Sequence, residues 1–135
     1  MSRTDLSGGV IFPIGERSEN ENFTGGAWLN ILTPPDASNP TGNVTFEPGC
    51  HNHWHKHPGG QTLLVTGGRG YYQEWGKSAR ELHAGDVISV LSNVKHWHGA
   101  ARDSWFAHLV VQGDPRKGPT TWIEILPDEE YEKLK

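Results

Sequence analysis

Trp54-His55-Lys56-His57-Pro58-Gly59-Gly60-Gln61, followed further along by Lys95-His96-Trp97-His98, is the stretch from which the rest of the chain can be read. Successive side chains of a β-strand point to opposite faces, so His55 and His57 send both imidazoles to one side. Pro58-Gly59-Gly60 turns the chain, and Gln61 heads the next apolar run with an amide oxygen able to reach the same point. His96 arrives on a separate strand and closes the set. Three imidazoles and one amide oxygen make a donor set for a divalent metal ion. Being neutral, such a shell leaves the ion's charge undiminished, and open coordination positions remain for water or an oxygen-bearing substrate.

Outward from this cluster the sequence reads as short strands. Residues 27–33 are aromatic and β-branched and end at Pro34-Pro35, and residues 42–46 alternate with Val44 and Phe46 inward. Residues 61–66 and 70–75 read as the arms of a hairpin turned at Gly67-Gly68. Two more strands, at 79–83 and 87–91, flank the turn at Gly85-Asp86. The segment 105–112 puts Phe106, His108, Val110 and Gln112 on one face and Trp105, Ala107, Leu109 and Val111 on the other. Residues 120–125 form the last strand, and Pro127-Asp128-Glu129-Glu130 opens a short helix whose acids suit its dipole. Val10-Ile11-Phe12 is a further short strand, able to add to a sheet edge. The expectation is an all-β sandwich or barrel with a short C-terminal helix.

Composition narrows the function classes. At 135 residues the chain fits one domain, with a core over about 25–125 and an N-terminal arm over 1–24. A net charge of -4 gives no electrostatic footprint for nucleic acid or an anionic membrane surface. No apolar run approaches the roughly eighteen residues of a membrane span, and the polar start lacks a signal-peptide core, so a cytoplasmic protein is expected. The single Cys50 excludes an internal disulfide and fits a reducing compartment; it reads as a small buried hydrophobe in preference to a metal ligand. Sheet edges and the six tryptophans point to a homodimer or homotetramer, with residues 10–12 as an exchange element.

Other histidines divide by position. His51 and His53 read as rim residues and His83 as a surface residue. His98, two beyond His96, reads equally as a cavity residue or as packing. His108 lies on an otherwise apolar face, where an imidazole needs a partner or a task.

The spacing resembles the cupin superfamily. Its first motif is matched by Gly49, His55, His57, Gln61 and Gly67-Gly68, with Gln61 in place of the usual glutamate. Its second is matched by Gly85 and His96, with Leu91 and Asn93 where proline and glycine are usual. Trp54 to Gln61 and Lys95-His96-Trp97-His98-Gly99-Ala100 are similar to small bacterial single-domain cupins, some resembling manganese-dependent hydroxynitrile lyases and others accompanying carboxymuconolactone decarboxylase-like proteins. The resemblance, over roughly residues 25 to 125, implies a double-stranded β-helix, or jelly roll, and a divalent ion held by His55, His57, Gln61 and His96. It implies manganese first, with iron, nickel or zinc able to use the same donors. In the lyase members the pocket includes positions matching Gly42, Val44, His98, His108 and Gln112.

Three functions follow as expectations. The first is a metal-dependent lyase for a small hydroxylated or carbonyl compound such as a cyanohydrin. His108, with His98 and Gln112, would handle the proton, and Gly42, Val44, Phe46, Phe106 and Val110 would line the pocket. A second is a metal-dependent dioxygenase of a small aromatic or diketone. The third is a non-catalytic cupin that binds metal and a metabolite.

Overall fold

The computed structural model describes residues 5–134. Along the chain run β1 (Glu16–Arg17), β2 (Phe23–Thr24), β3 (Ala27–Ile31), β4 (Thr41–Phe46), β5 (His51–Asn52), β6 (Trp54–Lys56) and β7 (Gln61–Glu74). They are followed by β8 (Arg80–His83), β9 (Val87–Val90), β10 (His96–Ala100), β11 (Phe106–Gln112), a 3-10 turn (Pro115–Lys117), β12 (Thr121–Glu124) and the helix α1 (Asp128–Glu132). All pairings are antiparallel. The result is the all-β jelly roll with a short terminal helix that the sequence suggested.

The strands form two faces joined by one long strand. On one side the order is β1, β3, β4, β11 and the first half of β7, with β9 beyond it. On the other, the second half of β7 pairs with β8 and with β10, and β10 in turn pairs with β5 and β6, which carry β2 and β12. The expected hairpin at Gly67-Gly68 is therefore corrected: residues 61–74 are a single strand that leaves one sheet and enters the other. Gly68 marks the bend, with a φ of 74° and a position where a Cβ would lie 1.8 Å from the Trp105 carbonyl oxygen. Opposite it, the β11 register slips between Ala107 and His108, the bulge that lets the ladder turn.

Between the faces lie Phe46, Leu63, Val65, Tyr72, Leu82, Ile88, Val90 and Phe106. Each such aliphatic or aromatic side chain contributes on the order of 1.5–3 kcal/mol when fully buried. A second apolar cluster sits outside the β10 sheet, where Trp54, Tyr71 and Trp97 are covered by Leu126 and by Tyr131 of α1. Tyr131 closes this lid with a hydrogen bond from its hydroxyl to the Ala100 carbonyl, 2.5 Å.

The residues before Gly25 contribute more than an arm. Glu16–Arg17 and Phe23–Thr24 add a strand to each sheet, and Phe23 packs edge-on against Phe46 at 5.6 Å. Residues 10–12 form only an isolated bridge, and Val10 lies over Gly67 of its own chain. Among the described residues, no helix is long and apolar enough to cross a membrane.

Candidate metal centre

β6 and β10 run side by side with His55 directly opposite His96. Their imidazoles point between the sheets, and the ring centroids are 4.3 Å apart. His57, just beyond β6, lies 4.9 Å from His55 and 5.4 Å from His96. Gln61 begins β7 on the same side. The four sequence-derived ligands are all buried, between 0% and 8% exposed.

Hydrogen bonding settles which ring nitrogen of each histidine faces inward. His55 Nδ1 lies 2.6 Å from the His53 carbonyl and His96 Nδ1 2.9 Å from the Val94 carbonyl. A carbonyl only accepts, so these Nδ1 atoms carry the proton and each Nε2 keeps a lone pair. His57 Nδ1 is engaged by the Thr120 hydroxyl at 3.0 Å. His57 Nε2, His96 Nε2 and Gln61 Oε1 are then buried without a hydrogen-bond partner. Buried polar atoms left unpaired carry a free-energy cost, and converging lone pairs are what a divalent cation would satisfy. The donor set therefore fits a borderline metal ion.

Nitrogen atoms of His55, His96 and His98 also lie within 4.8 Å of one another, which offers a competing trio. By ring centroid His57 is the nearer third imidazole, since His98 is 6.1 Å from His55 and 6.2 Å from His96, whereas by nitrogen positions the trio that comes together among the described residues is His55, His96 and His98. His98 is instead tied to Asn52, whose Oδ1 accepts from the His98 backbone N–H at 2.9 Å and whose Nδ2 lies 3.4 Å from His98 Nδ1.

Burial dominates the electrostatics. It holds His55 down to about 2, with the neighbouring His96 adding to the effect, and His57 down to about 4. His108 is pushed down to about 4 by burial alone against the opposing Leu109 carbonyl. At neutral pH these rings are uncharged, the form in which imidazole binds metal or accepts a proton.

His98 and His108 come together as the sequence suggested, with ring centroids 5.0 Å apart. His108 Nδ1 lies 3.2 Å from the Leu109 carbonyl, and its Nε2 is buried without a partner. Phe46 stacks on His98 at 5.7 Å and meets His108 edge-on at 5.8 Å. Phe46 and Phe106 are fully buried, so they lie beneath the two imidazoles as a floor; they are not an open wall. Alternation along a strand gives the face of a residue and not its depth. Gly42 and Val110 line up across β4 and β11, and Leu29 of β3, which the sequence did not single out, packs over Gly42. Gln112 lies with His57, Pro40 and Thr120 in a cleft of about 380 Å³ at the end of the barrel.

One other residue departs from the sequence reading. His51 is not a rim residue: it is 2% exposed and stacks on Tyr131 at 3.9 Å outside the sheet. The strand breaks at His53, between β5 and β6, so the alternation reverses there and Asn52 points inward. Cys50 sits in the main core and is absent from the inner cluster, and burial pushes its thiol up to about 12.

With this geometry in view, the comparisons with known proteins agree on the fold. Residues 42–112 match the Cupin_2 family model, described as a cupin domain. An (R)-mandelonitrile lyase from Granulicella tundricola is 41% identical over 113 residues, which cover 82% of this chain and 86% of that one. A crystal structure of a cupin-like protein from Thermotoga maritima superposes with a TM-score of 0.87 at 43% identity, covering 91% and 95% of the two chains. A cupin-2 domain protein from Rhodospirillum rubrum, at 15% identity, shares the fold with a TM-score of 0.65 over 89% of this chain and 78% of that one.

Proposed function

The chain belongs to the cupin family, and from that premise we propose that it is a metal-dependent lyase that cleaves a small cyanohydrin into hydrogen cyanide and a carbonyl compound. The observation that carries this reading is the set of buried, unpartnered ligand atoms His57 Nε2, His96 Nε2 and Gln61 Oε1 beside His55, with the unpartnered His108 Nε2 on the adjoining strand face. A lyase-named relative at 41% identity supports the reaction class.

His55, His57, Gln61 and His96 would hold a divalent ion, manganese by preference. When bound, the ion supplies Lewis acidity for the substrate oxygen, undiminished because all four donors are neutral. The remaining work falls to the chain's own side chains. His108 Nε2 takes the hydroxyl proton. The electrons of the O–H bond become the second bond of the carbonyl, and those of the carbon–carbon bond leave with cyanide. His108 then returns the proton to cyanide and is neutral again, so the cycle closes without an oxidant or reductant. Val44, Val110 and Leu29 offer apolar contact to the substituent of a small organic substrate.

The test is mandelonitrile cleavage, followed by benzaldehyde absorbance, with protein stripped of metal and then reloaded with manganese. The reading expects activity to vanish and return with the metal. Equal rates with and without metal would remove the ion from the mechanism, and no cleavage by manganese-loaded protein would remove the cyanohydrin.

A further inference from the structure

We propose that Asn52 is a positioning residue that holds His98 as its Nε2–H tautomer, so that the pocket presents one imidazole that donates beside one, His108, that accepts. The backbone N–H of His98 only donates, and the Asn52 amide atom 2.9 Å from it must be the oxygen. Orientation of an amide is assigned from such contacts, and this one leaves a single choice. The Nδ2 end then faces His98 Nδ1 at 3.4 Å as a donor. Nδ1 must supply the lone pair, which leaves the ring proton on Nε2.

No other imidazole of the inner cluster is set this way by its contacts. His55, His96 and His108 each present Nδ1 to a backbone carbonyl, which places the proton there and the lone pair on Nε2. His57 Nδ1 meets a hydroxyl, which can serve either way. Asn52 is 2% exposed, and its position on β5 next to β10 gives its amide no solvent to turn toward. In this tautomer the His98 Nε2 has no lone pair to give a metal, although a His98 nitrogen lies within 4.8 Å of those of His55 and His96.

The catalytic consequence rests on the cyanohydrin reading, whereas the tautomer does not. During cleavage His108 accepts the hydroxyl proton and cyanide departs with the bonding pair. The His98 Nε2–H is a neutral donor placed to hold that anion until His108 returns the proton to it. One ring receives the proton while the other steadies the leaving group.

Nitrogen-15 NMR of the zinc-loaded protein, which is diamagnetic, reads the tautomer directly, with the His98 ring signals identified by their loss in His98→Gln. The wild type is expected to show a protonated Nε2 and an unprotonated Nδ1; the reverse pattern overturns the proposal. In Asn52→Asp the carboxylate can only accept, so the proton should move to Nδ1, and kcat for mandelonitrile should fall about 100-fold. Metal content and KM should change little. An Nε2 that keeps its proton in Asn52→Asp, or an unchanged kcat, overturns the positioning role. Should Asn52→Asp fail to fold, the wild-type spectrum still decides. The expected tautomer in a protein that cleaves no cyanohydrin would sink the lyase reading and leave the assignment of Asn52 standing.

Discussion

The Thr120 hydroxyl lies 3.0 Å from His57 Nδ1, and it is a side chain where His55 and His96 lean on backbone carbonyls. Substitution cannot remove a carbonyl, so among these three imidazoles only His57 has an outer contact that a point mutation can delete. Outer contacts of this kind fix ring orientation, and their loss typically costs 10- to 100-fold in metal affinity. Thr120→Val should therefore weaken manganese binding by about 10-fold or more. Thr120→Ser should restore it. A chelator-competition titration measures both, and equal affinities for wild type and Thr120→Val would show that the contact does not matter.

His108 predicts a different pattern, because its ring lies among Phe46, Phe106 and His98 and not among the metal donors. His108→Phe should bind manganese as the wild type does. Its kcat for mandelonitrile should fall by on the order of 100- to 10,000-fold, the range lost with a general base. Loss of metal together with activity would place His108 in the ligand set instead.

The same residue makes stability depend on pH. Burial pushes His108 down to about 4 from an ordinary 6.5, and His98 is its titratable neighbour across the pocket. A depressed histidine favours the folded state fully above the unfolded value, and that contribution is lost as pH falls from 6.5 through about 4. At about 1.4 kcal/mol per pH unit the loss is of order 3 kcal/mol. Urea unfolding of metal-free wild type and His108→Phe between pH 7 and pH 4.5 isolates it. The wild type should lose more stability than the variant as pH drops, and parallel curves would contradict the assignment.

Much of this site was legible because it obeys a period of two. His55 and His57 share a face, with ring centroids 4.9 Å apart, and Phe106, His108 and Val110 stay together opposite Phe46, Val44 and Gly42. What the period cannot show is where it breaks. At His53 the strand is interrupted, so counting back by twos assigns His51 to the wrong side and hides Asn52. Thr120, which the sequence pattern includes in the last strand, lies just before β12, and its hydroxyl matters only because the chain brings it to His57. Gly67-Gly68 illustrates a third limit. Two glycines between apolar runs fit a hairpin turn and a strand bend equally well, and the difference lies in the partners, β11 on one side and β10 on the other.

That bend yields a test of the fold itself. Gly68 and Gly76 both have positive φ, 74° and 84°, but a Cβ at Gly68 would sit 1.8 Å from the Trp105 carbonyl oxygen whereas one at Gly76 meets nothing within 4 Å. Gly76→Ala carries only the backbone strain, about 1 kcal/mol. Gly68→Ala adds a collision with backbone at the point where β7 changes sheets, and the strand cannot shift without disturbing its pairing to both β11 and β10. It should lower stability by well over 3 kcal/mol or prevent folding. If thermal unfolding gave the two variants the same midpoint, β7 would not be the continuous strand that joins the two faces, and the short distance from His55 to His96 would need another cause.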